Sequence, residues 1–520
     1  MPMLTITRRR LLASTVFGTV ATAVLAACGG TPPAPTAAPA AATKPGEKPA
    51  AGAASPAAAG AASTASAPAP TTAPAGATPA AAGAAAPANA SKNLRVAVNA
   101  TQQRADQLTG FGKAFKDKSG VTVEWAPIQA PDWDQFFVKL LTEVAGGKSP
   151  DLVNIATEGL QIFAGKDMAL KLDDLAKNDK GTIQEYFSDV APSLVESMMY
   201  EGSLYSLPVN FNAANMFINT DALQKAGVSL PNDDWTANDF REMAKKVASK
   251  KDGSGQPETF GFAWTNRHWG GYIPWVFVNG SNLLTEERAP GGDWMWSTFY
   301  KDDPAAKGRG GGWRWNQSKA NDPANVEALQ FLVDMTKEKS ALDPATGGGA
   351  AQQNNFVAGK VAMTPAGAFW SAALKNAGMK EGTFDVRLFP KWKTQRHQYG
   401  AGGVIGMKSA PSKDDIWAFM KFWASKDVMA SVLGSPLSST SPRRSLMTED
   451  RMAGIKNWKI FYDTLDKLPD TAPIPAPPES NQLAAILTKY VDLAITGEQS
   501  PKSALDQMHQ ELTKLLAARK

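Results

Sequence analysis

Leu94-Arg95-Val96-Ala97-Val98, Val121-Thr122-Val123-Glu124-Trp125 and Asp151-Leu152-Val153-Asn154-Ile155-Ala156 are three short runs rich in β-branched and apolar residues, and the stretches between them decide the fold. Between the first two runs, Leu108, Phe111 and Phe115 recur three and four residues apart, the spacing of one helical face, and Gly120 supplies the stop. Between the second and third, Trp133, Phe136, Phe137, Leu140, Leu141 and Val144 make another apolar face, ended by Gly146-Gly147. A βαβαβ opening predicts a parallel sheet with helices on both faces. Later helices are marked by Ile416, Phe419, Met420 and Trp423, with Ser412 as N-cap, and by Leu483, Ile486, Leu487, Tyr490, Val491 and Ala494. The body, from about residue 92 to 520, is too long for a single core and predicts two lobes.

Ahead of the body, Arg8, Arg9 and Arg10 precede an apolar run from Leu11 to Ala27. At about seventeen residues the run is short for a permanent span, and it reads as a signal peptide over 1–27. Thr7-Arg8-Arg9-Arg10-Leu11-Leu12 also resembles a twin-arginine export signal. Cys28, the single cysteine, sits where bacterial lipoproteins carry the lipidated residue, so the expected location is the outer face of the cytoplasmic membrane, cell surface or periplasm. Residues 28–91 are almost entirely Ala, Pro, Thr, Gly and Ser and lack the large apolar side chains that offset ordering entropy. They read as a disordered linker, either selected for reach, roughly 45 Å on average as a flexible coil, or a spacer of no selected length.

Composition narrows the chemistry. The formal charge of +5 falls to +2 without the three signal arginines, so no basic footprint for nucleic acid remains. His268, His397 and His509 are the only histidines and stand far apart, and no HExxH or His/Cys cluster exists, so no metal site or cofactor is expected. Gly146-Gly147-Lys148-Ser149 echoes a phosphate loop, but Thr142 stands where the leading glycine is needed. No GxSxG elbow occurs, and nothing in the sequence pairs two carboxylates, so the chain is read as no enzyme.

A further set of segments runs through the body in a fixed order. They are Ser119-Gly120-Val121-Thr122-Val123, Gly146-Gly147-Lys148-Ser149-Pro150-Asp151-Leu152-Val153, and Tyr200-Glu201-Gly202-Ser203-Leu204-Tyr205-Ser206-Leu207-Pro208. Phe217-Ile218-Asn219-Thr220-Asp221-Ala222-Leu223 follows, with Ala226-Gly227-Val228, Pro231 and Trp235-Thr236. Phe356-Val357-Ala358-Gly359-Lys360-Val361-Ala362-Met363, Gly367-Ala368-Phe369-Trp370 and Gly497-Glu498-Gln499-Ser500 complete the set. Taken in this order, these segments resemble the family 1 extracellular solute-binding proteins, the sugar-type receptors of ABC importers. The resemblance implies an α/β, two-lobe periplasmic-binding-protein-like fold that hinges on a ligand cleft between the lobes. Carried across, the first lobe comprises 92–208 and 384–450, and the second 209–383 and 451–520. An insertion over about 285–315, rich in Gly and Trp, departs from the family pattern.

A sugar needs flat aromatic surfaces against its ring and fixed hydrogen-bonding groups at its rim. Seven of the 15 tryptophans lie between Trp264 and Trp315. Trp264 and Trp269 stand beside Asn266, Arg267 and His268, and Trp370 with Phe369 is the favoured stacking surface. Trp294, Trp296, Trp313 and Trp315 form either a packed flap or part of the sugar wall. Glu158 and Asn99 follow strand ends, where open α/β sheets place ligand groups. Asn210 and Asn212 lie on the segment entering the second lobe, and Tyr399 with Gly402-Gly403 precedes a strand, the glycines permitting close backbone approach. Arg443 either holds ligand oxygens or braces the fold. These residues predict a monomeric, lipid-anchored receptor that delivers a sugar or oligosaccharide to an importer permease, touching the membrane through its lipid alone. The alternatives are a same-fold receptor for another polar solute, such as a polyol phosphate, and a surface-anchored carbohydrate-active enzyme.

Overall fold

In a computed structural model, residues 92–519 are described except 101, 345–348, 435–436, 453–454 and 469; the signal, Cys28 and the linker lie outside them. Fourteen strands appear among the described residues: β1 Asn93–Val98, β2 Thr122–Pro127, β3 Leu152–Ala156, β4 Met199–Tyr200, β5 Ser203–Leu204, β6 Asn210–Ala213, β7 Asn215–Asn219, β8 Phe260–Phe262, β9 Glu287–Arg288, β10 Trp313–Arg314, β11 Val361–Ala366, β12 Phe384–Arg387, β13 Gln398–Gly406 and β14 Ala472–Pro473. The first sheet runs β14-β13-β3-β1-β2, with β6 also on β13, and the second runs β12-β7-β11-β8. β1 is parallel to both β2 and β3, as the βαβαβ opening predicts, and β13 returns antiparallel to β3.

Local chemistry places the helices. The helix Trp133–Ala145 starts where the Asp132 carboxylate accepts from the Gln135 amide, and it buries Phe136, Phe137 and Leu140. Gly120 ends Thr109–Ser119 at a φ of 74°, left-handed backbone that glycine adopts without penalty. Ser412 caps Lys413–Ala424 through the Asp415 amide, and Ser480–Ile495 carries the apolar face read from sequence.

Two cores result. In the first, Val96, Phe136, Phe137, Val153 and Phe163 are fully buried around the first sheet. The second gathers Ile218, Phe262, Met363 and Leu487 around Trp275, which packs against Phe240, Phe331 and Phe389. The chain passes between the sheets at Ala214, between β12 and β13, and between β14 and the helix Ser480–Ile495.

The expected boundaries need correction at four places. β6 pairs with β13 of the first sheet before the chain crosses, so 209–213 belong there rather than to the second lobe. β12 pairs antiparallel with β7 of the second sheet, which moves 384–387 out of the first. The helix Ile460–Asp466, expected in the second lobe, touches both sheets: the Tyr462 ring meets Phe211 of β6 at 5.2 Å and the Phe461 ring meets Phe217 of β7 at 6.4 Å. The insertion also crosses: Met295, Trp296, Phe299 and Tyr300 join the first core, while Leu283, Leu284 and Trp315 at its roots belong to the second.

Candidate functional site

The carboxyl ends of β2 and β3 feed the helices Trp133–Ala145 and Thr157–Gly165, and their first turns face the loop that follows β8 in the other lobe. Such strand ends are where open α/β sheets gather ligand groups. From the first lobe come Asp134 and Glu158; from the second, Arg267, His268 and Trp269. Asp134 Oδ1 lies 3.8 Å from His268 Nδ1, a charge contact too long for a hydrogen bond. His268 Nε2 meets the Pro475 carbonyl at 2.9 Å.

Electrostatics across this seam are strongly shaped by burial. Glu158 is 3% exposed. Burial pushes its carboxyl up to about 7, attraction from His268 opposes the rise, and Asp134 adds repulsion. Burial opposes protonation of His268, but the Asp134 carboxylate, with Glu158 behind it, more than offsets that and holds the imidazole above its ordinary value. Burial lowers the Arg267 pKa against the charges of Asp132 and Glu158, and its Nε is buried without a hydrogen-bond partner.

An aromatic wall adjoins these charges. The Trp269 ring lies 5.7 Å from Phe369, centroid to centroid, and the Arg267 guanidinium carbon lies over the indole, 5.6 Å from its centroid. A Cβ on Gly400 would sit 3.5 Å from Trp269 Nε1 and 3.8 Å from Thr157 Oγ1, so β13 runs directly behind the wall. Beside it, Asn212 Nδ2 donates to Ser439 Oγ at 3.1 Å while its Oδ1 is buried without a partner. The seam therefore offers flat apolar surface together with polar atoms from both lobes whose hydrogen-bonding capacity is unfilled.

The structure thus brings together Glu158, Trp269, Phe369 and Asn212 from the sequence-derived set. Glu158 stands, buried, in the first turn of the helix Thr157–Gly165. Asn99 holds the edge of β1, its Oδ1 accepting from the Ala130 amide at 3.3 Å. Asn210 is half-buried on β6, opposite Gly402.

Others are corrected. Trp370 is 5% exposed and packs edge-on against Phe217 at 5.7 Å and Phe356 at 5.4 Å, which makes it core rather than a stacking surface. Trp264 is buried in the second core. Tyr399 is buried and its hydroxyl donates to the Ser193 carbonyl at 2.9 Å. The approach that Gly402 permits is by the protein itself, because a Cβ there would lie 2.5 Å from Asn210 Oδ1. Arg443, 2% exposed, donates to both Glu185 oxygens at 2.8 and 2.9 Å and to the Ala424 carbonyl at 2.8 Å, so it braces the first lobe.

Asp134 and Thr157 were missed by the sequence reading. The available signal was their place in the first turn of a helix after a parallel strand. Two surface concavities, about 400 Å³ beside Thr236 and Trp392 and about 460 Å³ beside Asn282 and Arg396, share no residue with the seam.

Residues 110–445, more than half of the chain, match the model of a family described as bacterial extracellular solute-binding protein. A binding protein of Brucella abortus (strain 2308) is 25% identical over 321 residues, which are 61% of this chain and 67% of that protein. An ABC substrate-binding protein of Listeria monocytogenes, solved with cycloalternan, is 20% identical with a TM-score of 0.66 over 82% of this chain and 99% of its own. The GacH receptor of Streptomyces glaucescens GLA.O, solved unliganded and with acarbose, is 20% identical with a TM-score of 0.64 over 83% of this chain and 100% of its own. These likenesses establish the two-lobe binding-protein fold.

Proposed function

The chain belongs to the bacterial extracellular solute-binding proteins, and on that footing we propose that it captures a sugar or oligosaccharide and delivers it to the permease of an ABC importer. The observation that carries the proposal is the seam itself, where the Trp269–Phe369 wall meets unfilled polar groups of both lobes. A sugar ring lies against the aromatic faces, and its hydroxyls, which donate and accept, satisfy Glu158, Arg267 and Asn212. Because the ligand engages both lobes together only when they are closed, binding drives closure. The cycloalternan and acarbose held by the structural relatives support a polyhydroxylated ligand here.

Charge favours a neutral ligand. Asp132 and Asp134 face the seam with the buried Glu158 against Arg267 and His268, and a phosphate there would meet acidic groups as well as cations. Arg443, the other candidate for an anion, already has both Glu185 oxygens. The anchor belongs to the same reading: export under the N-terminal signal, lipidation at Cys28, and a monomeric body held by its linker outside the cytoplasmic membrane near the permease.

Isothermal titration against a panel of mono- and oligosaccharides tests the ligand class. Saturable heat with at least one member supports the proposal, and none across the panel refutes it. Shorter products from incubated oligosaccharides would replace capture with turnover.

A further inference from the structure

The insertion is rooted in one lobe and docked on the other. At its roots, Thr285 N–H donates to the Gln317 carbonyl and Lys319 N–H to the Leu283 carbonyl, both at 2.8 Å, beside the buried Leu284 and Trp315 of the second core. Between the roots, its groups turn to the first lobe. Trp294 Nε1 donates to the Gly202 carbonyl at 3.0 Å, and Gly202 N–H donates to the Gly311 carbonyl at 2.9 Å. Tyr300 Oη donates to the Val190 carbonyl at 3.0 Å, and Gln184 Nε2 to the Phe299 carbonyl at 3.0 Å. The Phe299 ring lies 4.4 Å from that of Phe187. Backbones touch as well: a Cβ on Gly311 would stand 2.4 Å from Gly202 Cα.

Glu196 is the keystone. This acid ends the first-lobe helix Pro192–Glu196 and is 0% exposed. Its hydrogen-bond donors all come from the insertion: Arg288 Nε at 2.8 Å, Arg309 Nη1 at 2.7 Å and the Gly310 amide at 2.8 Å. Pulling the insertion away would break three hydrogen bonds to this carboxylate at once, two of them charge-assisted from arginines. A free flap would not need such an anchor.

We propose that residues 285–315 form a strap that ties the second lobe to the first and limits how far the hinge opens. The strap stays docked on Glu196 while the lobes move, so the ligand-free protein opens through a narrow range. This goes beyond the sugar reading and does not depend on which ligand is bound.

The test is a distance distribution between spin labels at Lys113→Cys on the helix Thr109–Ser119 and Lys337→Cys on the helix Pro323–Lys337. Cys28→Ser in the full chain leaves those labels as the only thiols. Without ligand, the strapped protein should give one narrow distribution, and Glu196→Ala should add a longer-distance population several-fold larger than any in the strapped protein. Arg288→Ala with Arg314→Ala, which cuts exposed ties of the strap to Glu196 and Glu201, should add a smaller one and carries the test if Glu196→Ala does not fold. A distribution unchanged by the substitutions, whether narrow or already broad, overturns the proposal.

Discussion

Replacing Glu158 with glutamine should leave the body nearly unchanged in stability at pH 4 and raise it by about 3 kcal/mol at pH 8. Burial moves this carboxyl from an ordinary 4.5 to about 7 in the folded protein. Below pH 4.5 both folded and unfolded chains hold the proton, and the site contributes no difference. Between 4.5 and 7 the unfolded chain releases the proton while the folded chain keeps it, so stability falls as pH rises. Above 7 both states are ionised, and the full penalty of burying the charge remains. At about 1.4 kcal/mol per pH unit the displacement amounts to about 3 kcal/mol.

His268 acts in the same direction. Its folded value is raised above the ordinary 6.5, so its contribution is complete below that pH and is lost as pH climbs through the raised value. Together these two groups should make the wild type lose stability from about pH 5 toward pH 8. Glutamine matches the shape of the protonated acid but cannot ionise, which removes one component of the slope and, by deleting a charge that helps raise His268, weakens the other. Equilibrium urea unfolding of both proteins from pH 4 to 8 measures the difference. Parallel curves, with a constant offset at every pH, would show that Glu158 is not held as a buried neutral acid in the seam.

Trp269→Ala should weaken sugar binding by roughly 1–3 kcal/mol, the scale of a lost aromatic contact, with the unfolding midpoint of the ligand-free protein little changed; equal affinity by titration calorimetry would move the stacking surface elsewhere. Trp370→Ala should instead lower stability by about 3–5 kcal/mol through the cavity left between Phe217 and Phe356, while the folded fraction keeps its affinity. Arg443→Ala should cost about 2–3 kcal/mol of stability, below the usual range for a buried pair because Glu185 is largely exposed. Lost binding with unchanged stability would return Arg443 to the ligand.

How much was legible depends on how far apart in the chain the deciding contacts lie. The opening sheet, the faces of Trp133–Ala145 and Ser480–Ile495, and the Ser412 cap follow from residues a few positions apart, and periodicity reads such contacts directly. The lobe boundaries do not. β12 could be assigned to the second sheet only by knowing that Phe384–Arg387 pairs with Asn219–Met216, more than 160 residues earlier. The insertion posed the same difficulty, because its tryptophans fit a flap or a ligand wall until Glu196, about a hundred residues away, is placed among its arginines.

The site was harder still, and the pair Phe369-Trp370 shows why. Both begin the helix Phe369–Asn376, and successive residues on a helix point about 100° apart. The first turn therefore aims Phe369 at Trp269 in the seam and Trp370 at Phe217 and Phe356 in the core. A motif locates the loop but not the rotation of the helix that follows it, so the larger ring was the natural choice and the wrong one. Glu158 escaped this ambiguity because its assignment rested on the end of β3, a feature of topology rather than rotation. Its burial against His268, more than a hundred residues away, was beyond reach, and that burial gives the carboxyl its pH dependence.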